Sequence, residues 1–190
     1  QILIQEMRTG GGGWTDTVRL RADYTFMKKV PLSQPGYYKI NFFNKQTVDF
    51  ILYKSDLEIN VDGNNQSGFA QVKGSPEIDL IHQVEKLRTE AEASPAIAKL
   101  SQDFTAAANA KDQQKMVEIQ QEYFAEIKTT NDKIASLLRD SPPSLGVINM
   151  LNSPNPVLDK DAYFDTYLAV AQKLQKEWPT YDHAKDFIGK

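Results

Sequence analysis

The sequence predicts an α+β protein: a small antiparallel β-sandwich or curled sheet, followed by a C-terminal helical region. Three observations carry this. Apolar and polar residues alternate with period two up to Lys73, which gives a strand one wet and one buried face. Beyond Gly74-Ser75 the apolar spacing changes to three and four, the spacing of a helix face. Two Ser-Pro pairs, Ser75-Pro76 and Ser94-Pro95, then supply a capping hydroxyl followed by a proline suited to a first helical position. The expected domains are 1–75, an antiparallel β domain, and 76–190, a helical region.

The strongest strand signal is Thr47 to Gly63, which reads as two strands joined by a turn. Val48, Phe50 and Leu52 alternate with Asp49, Ile51 and Tyr53. After Lys54-Ser55-Asp56, residues Leu57, Ile59 and Val61 alternate with Glu58, Asn60 and Asp62. Ahead of this pair come Gln1 to Thr9, Asp16 to Ala22, Tyr24 to Val30 and Tyr37 to Phe43; after it comes Gly68 to Lys73. The run Gly10 to Gly13 has no following Lys-Ser/Thr and opens no helix, so it predicts a flexible hairpin loop rather than a phosphate cradle.

In the helical part, Leu80, Ile81, Val84, Leu87 and Ala91 share one face, and Ile97, Leu100, Phe104 and Ala107 share the next. The longest helix spans roughly 112–139. Its stripe is Met116, Ile119, Tyr123, Ile127, Thr130, Ile134 and Leu137. A helix of about 40 Å cannot be covered by the shorter one before it, so a second partner is expected. Leu145 to Leu151 forms a short helix, and 161–178 the last one, with Phe164, Leu168, Ala171, Leu174 and Trp178 facing inward. From Tyr181 onward the pattern tapers.

Composition restricts the chemistry. The chain has 190 residues, no cysteine, two histidines and a net charge of −3. Without cysteine there is no thiol nucleophile, no CxxC redox pair and no thiolate metal site. Residues 1–75 carry nine basic and seven acidic side chains, and the overall acidity argues against nucleic acid. No apolar run approaches the ~20 residues of a membrane span. The chain opens at Gln1, and any targeting segment is expected upstream of it. His82 and His183 lie far apart and make no ligand pair. Glu90 with Glu92, and Glu122 with Glu126, read as solvated helix faces. The aromatic residues of the β part read as core and cross-strand pairs rather than a stacking platform. No catalytic, cofactor-binding or metal-ligating residue is nominated, and no cofactor is expected.

A resemblance adds to this. Asp16-Thr17-Val18, Tyr24-Thr25-Phe26, Phe50-Ile51-Leu52, Asp56-Leu57-Glu58-Ile59-Asn60-Val61 and Val72-Lys73-Gly74-Ser75 follow one another in order. Together they resemble the N-terminal domain of unknown function that precedes the thioredoxin-like module in Gram-negative envelope thiol-disulfide oxidoreductases of the TlpA and ResA type. The resemblance covers residues 1 to about 80. The final Asp186-Phe187-Ile188-Gly189-Lys190 is similar to the family's linker into that module.

The resemblance implies a non-catalytic domain that positions or dimerises a redox module lying beyond Lys190. It places the full-length protein in the periplasm or cell envelope, held to a membrane only through an N-terminal anchor outside this chain. The implied partners are that module and a second copy of the chain. Two rival readings stay open: a free-standing envelope binding module for glycan or protein, and an enzyme with a carboxylate site.

Overall fold

A computed structural model describes residues 1–8, 13–32 and 34–189. The protein is α+β, with antiparallel sheets. Among the described residues there are six strands and six helices, and the chain divides into two compact units. The first unit is Gln1–Asp79 with Ser144–Gly146, and the second is Leu80–Pro143 with Val147–Lys190. Residues 76–79 and 144–146 thus belong with the strands, whereas their sequence reads as helical.

The first unit holds a four-stranded antiparallel sheet. Its strands are β1 (Ile2–Met7), β2 (Thr15–Val18), β3 (Gly36–Phe42) and β4 (Gln46–Leu52), in the order β2-β1-β3-β4. The register puts the core residues in rows. Val18, Ile2, Phe42 and Gln46 form one row, and Ile4, Ile40 and Val48 the next. Tyr38 opposes Phe50 in the third, and their rings stack 5.9 Å apart. A second sheet pairs β5 (Glu58–Val61) with β6 (Ala70–Lys73), and its Ile59, Val61 and Val72 pack against that core.

Three expectations change here. The two strands of the Thr47 to Gly63 stretch form, but not as a pair: β4 bonds to β3, and β5 bonds to β6. Residues 24–30 are not a strand, and β2 stops at Val18 rather than Ala22. Asp23 and Tyr24 instead make a tight turn, with Tyr24 at φ 63° and the Arg21 N–H bonded to the Thr25 carbonyl at 2.8 Å. The alternation survives without the ladder, because extended backbone turns successive side chains to opposite sides whether or not it is bonded. Phe26, Val30 and Leu32 accordingly pack on the core while Met27 and Lys29 are exposed. The expected glycine-rich hairpin loop falls largely on residues 9–12, which lie outside the described residues.

Two local devices end the β unit. Gly74 sits at φ 106°, and a Cβ there would lie 2.4 Å from the Asp56 carbonyl oxygen; only glycine accommodates both. Ser75, itself buried, accepts the Ile78 N–H on its Oγ at 3.1 Å and so caps α1 (Pro76–Glu92).

The second unit is helical. Ser94 caps α2 (Pro95–Ala110), and Asp112 caps α3 (Gln113–Asp140), with the left-handed Lys111 between them. The stripe of α3 runs as expected through Ile119 and Ile134, then closes on the fully buried Leu138. Among the described residues it packs chiefly against α2 and, further along, α5 (Phe164–Glu177). The Lys173 ammonium of α5 donates to the Arg139 and Ser141 carbonyls at the C-terminal end of α3, at 2.5 and 3.0 Å, where a cation is favoured.

Two further corrections fall in this unit. The inward face of α5 is Thr166, Tyr167, Val170 and Leu174, not the expected Phe164 and Leu168, which are 55% and 44% exposed. The tapering tail is instead a helix, α6 (Asp182–Ile188), with Ala184 and Phe187 buried. The two belong together: the Tyr167 ring stacks on Phe187 at 6.1 Å and 2°. Its hydroxyl reaches the Leu158 and Leu151 carbonyls at 2.8 and 3.1 Å. The short α4 (Leu145–Asn152) supplies Ile148 and Leu151 to the buried set.

Candidate functional site

The first candidate is a cavity of about 650 Å³ in the β unit. Its floor is the inner face of the four-stranded sheet, where Ile4, Val18, Ile40 and Phe50 present only hydrocarbon. Its opposite wall comes from the strand-like 26–32 segment and from 54–59, through Phe26, Val30, Leu57 and Ile59. These wall residues are half-buried. Lys28, Lys29, Lys54 and Asp56 supply the charge.

Local structure explains how those charges are set. The Lys28 ammonium pairs with Asp16 on β2 and lies 5.9 Å from the centroid of the Trp14 ring. That hydrogen bond, with the Thr17 backbone N–H, lowers the Asp16 pKa. Lys54 occupies the left-handed region at φ 54°, with its ammonium 4.7 Å from the Tyr53 ring centroid. Lys29, Lys54 and Asp56 are exposed, and no ion pair of Lys29 or Lys54 is seen among the described residues. Sequence reasoning missed this site. Its only trace is the pairing of basic with apolar residues across Phe26 to Leu32.

A second hollow, about 630 Å³, borders α1 and the middle of α3, and includes Tyr123, Ile127, Lys128, Asp132 and Tyr163. Its polar groups satisfy one another. Lys128 bonds Asp132 at 2.7 Å and keeps that carboxylate's pKa low, and Tyr163 donates to the same carboxylate at 3.1 Å. Desolvation first, and then Asp132, pushes the Tyr163 phenol up to about 12. The carboxylate is thus held ionised between an ammonium and a protonated phenol, a network of the chain's own side chains.

A half-buried carboxyl of the β unit, Glu77, is also unmarked in the sequence. Burial raises its pKa. Its carboxylate accepts the Gly146 N–H at 2.6 Å and is also hydrogen-bonded by Ser144 and the Leu145 backbone. From the first turn of α1, it meets the first turn of α4, where backbone N–H groups lack helical partners. The Tyr37 hydroxyl donates to the Leu145 carbonyl at 3.2 Å from the other side of the same segment. These contacts hold chain to chain.

The residues weighed in the sequence are dispersed. His82 is exposed, and His183 is half-buried with its ring 5.4 Å from Tyr181. Glu90 and Glu92 are exposed and pair along their own helix with Lys86 and Arg88. Glu122 and Glu126 are exposed. Among the described residues no group of three His, Cys, Asp or Glu side chains is placed to hold a metal ion, and no helix is long and apolar enough to cross a membrane. Tyr38, Phe42 and Phe50 are buried, while Tyr24 and Phe69 are largely exposed. Comparisons with family models, curated proteins and solved structures give no match to this chain.

Proposed function

We propose that this chain is a non-catalytic domain of a thioredoxin-family thiol-disulfide oxidoreductase of the cell envelope, where it positions or pairs the redox module. The observation that carries the reading is the work done by the residues that resemble the family. Asp16-Thr17-Val18 lies on the edge strand β2, Phe50-Ile51-Leu52 on β4 and Ile59-Asn60-Val61 on β5. Val72-Lys73-Gly74-Ser75 ends β6, makes the close approach to Asp56 and caps α1. These roles are architectural, as expected of a scaffold whose chemistry lies elsewhere. The chain has no cysteine, and disulfide exchange requires a thiolate. In this reading the two sheets are the leaves of a small sandwich.

The test compares the full-length protein with a version lacking this domain. Reduction of a small disulfide should be nearly equal in the two, while reduction of a protein disulfide should differ by several-fold. Equal rates on every protein substrate remove the positioning role. A full-length reading frame with no cysteine-bearing module removes the redox assignment. The second reading is a free-standing envelope binding module, and the apolar cavity of the β unit favours it.

A further inference from the structure

We propose that the cavity of the β unit binds a single-chain amphiphile with an anionic head, of the fatty-acid class. Protein interiors pack to the density of organic crystals and leave few voids larger than a water molecule. The void here is about 650 Å³, inside the range of ~300–1,000 Å³ that holds small molecules. The hollow is partly open to solvent, and the hydrocarbon of its lining forgoes the dispersion contacts that a packed neighbour would supply. Phe26, Val30, Leu57 and Ile59 remain half-buried around it, so an occupant would complete their burial.

The walls specify the occupant. The sheet side presents Ile4, Val18, Ile40 and Phe50, with no polar side chain to orient a heterocycle or sugar. The deep part therefore suits a hydrocarbon chain. The charged residues suit a negative head. Lys28 is neutralised by Asp16, which leaves Lys29 and Lys54 against the one carboxylate of Asp56. Both lysines are exposed, so they can approach a head group without first breaking a buried contact. The inference does not depend on whether a redox module is attached.

The test uses the whole chain and dodecanoate below its micelle concentration, measured by titration calorimetry and by displacement of a fluorescent apolar anion. Saturable one-to-one binding is expected. The double variant Lys29→Glu/Lys54→Glu should weaken dodecanoate at least tenfold and leave dodecanol unchanged, with an unaltered circular-dichroism spectrum. Leu57→Trp, which fills the cavity from its wall, should abolish binding of both; Leu52→Phe serves the same purpose where Leu57→Trp disturbs folding. The proposal is overturned if dodecanoate shows no saturable binding, if charge reversal leaves its affinity unchanged, or if dodecanol binds as tightly. It is equally overturned if the chain sediments with phosphatidylglycerol vesicles yet ignores monomeric dodecanoate, because the basic patch would then be reading a membrane surface.

Discussion

Gly74 shows how a single residue joins backbone strain to tertiary contact. Its φ of 106° is costly for any side chain, and its missing Cβ leaves room for the Asp56 carbonyl. Gly74→Ala should lower stability by about 2–4 kcal/mol in urea unfolding, since both strain and a backbone clash are imposed at once; an unchanged midpoint would mean that the turn relaxes freely. Tyr37 and Glu77 make pH predictions on the same 144–146 segment. Desolvation first, then the nearby Glu77 charge, pushes the Tyr37 phenol up to about 12. A raised folded-state pKa gives a contribution that is whole below the unfolded value near 10 and is lost as pH rises through the folded one. Tyr37→Phe should therefore remove part of the alkaline loss of stability, and a 295 nm titration should lose one of its two latest-ionising tyrosines, the other being Tyr163. Glu77 follows the same sign, because burial raises its carboxyl. Its contribution is present below the unfolded value and fades as pH rises through the folded one. The stability difference between Glu77→Gln and the parent should shift in favour of the variant as pH rises above the ordinary carboxyl value of 4.5; a difference independent of pH contradicts the assignment.

Helix faces give the sharpest tests among the elements. Ile134 is fully buried in α3, whereas Ile127, two stripe positions earlier, is half-buried and borders the α1–α3 hollow. Ile134→Ala should cost roughly 2–4 kcal/mol and Ile127→Ala clearly less, because only the first leaves a closed cavity. Equal costs would show that the hollow is filled in solution. On α5, Leu174 is fully buried and Leu168 is 44% exposed. Leu174→Ala should cost about 2–5 kcal/mol, while Leu168→Glu should stay within about 0.5 kcal/mol. The reverse order would restore the face expected from spacing alone. The strands are less open to single substitutions, since every β3 residue from Tyr37 to Phe42 answers to both β1 and β4.

For the whole molecule, the unexpected feature is that the β unit is not contiguous in sequence. Ser144–Gly146 belongs with Gln1–Asp79, held by the Glu77 carboxylate and the Tyr37 hydroxyl. A fragment of residues 1–79 loses the hydrogen bonds that the half-buried Glu77 and Tyr37 make to that segment, each worth about 0.5–1.5 kcal/mol. The fragment should unfold at a lower urea concentration than the β-unit signals of the intact chain, followed residue by residue in NMR spectra. An equal midpoint would make the 144–146 contacts dispensable. The charge pattern acts at this scale too. The first 75 residues are slightly basic in a chain of net charge −3, which leaves the lysines beside the β-unit cavity less screened by neighbouring carboxylates.

Sequence by itself determined where strand gives way to helix, because the change in apolar period is local. It determined the caps at Ser75 and Ser94 and most of the α3 stripe, for the same reason: each depends on residues within a turn or two. Only tertiary structure decided what each buried face meets. Period two places Phe26 and Val30 on one side of the chain, but a strand also needs a neighbouring strand, and among the described residues none pairs with 24–30. The turn after Leu52 suggests a hairpin, yet β4 and β5 join different sheets. On α5, spacing allowed more than one apolar face, and the Phe187 ring of a later helix selected the one that carries Tyr167. The cavity belongs to the same class. Its walls come from five separated stretches, and the space between them is set by how far apart the backbones lie, a distance that no single stretch encodes.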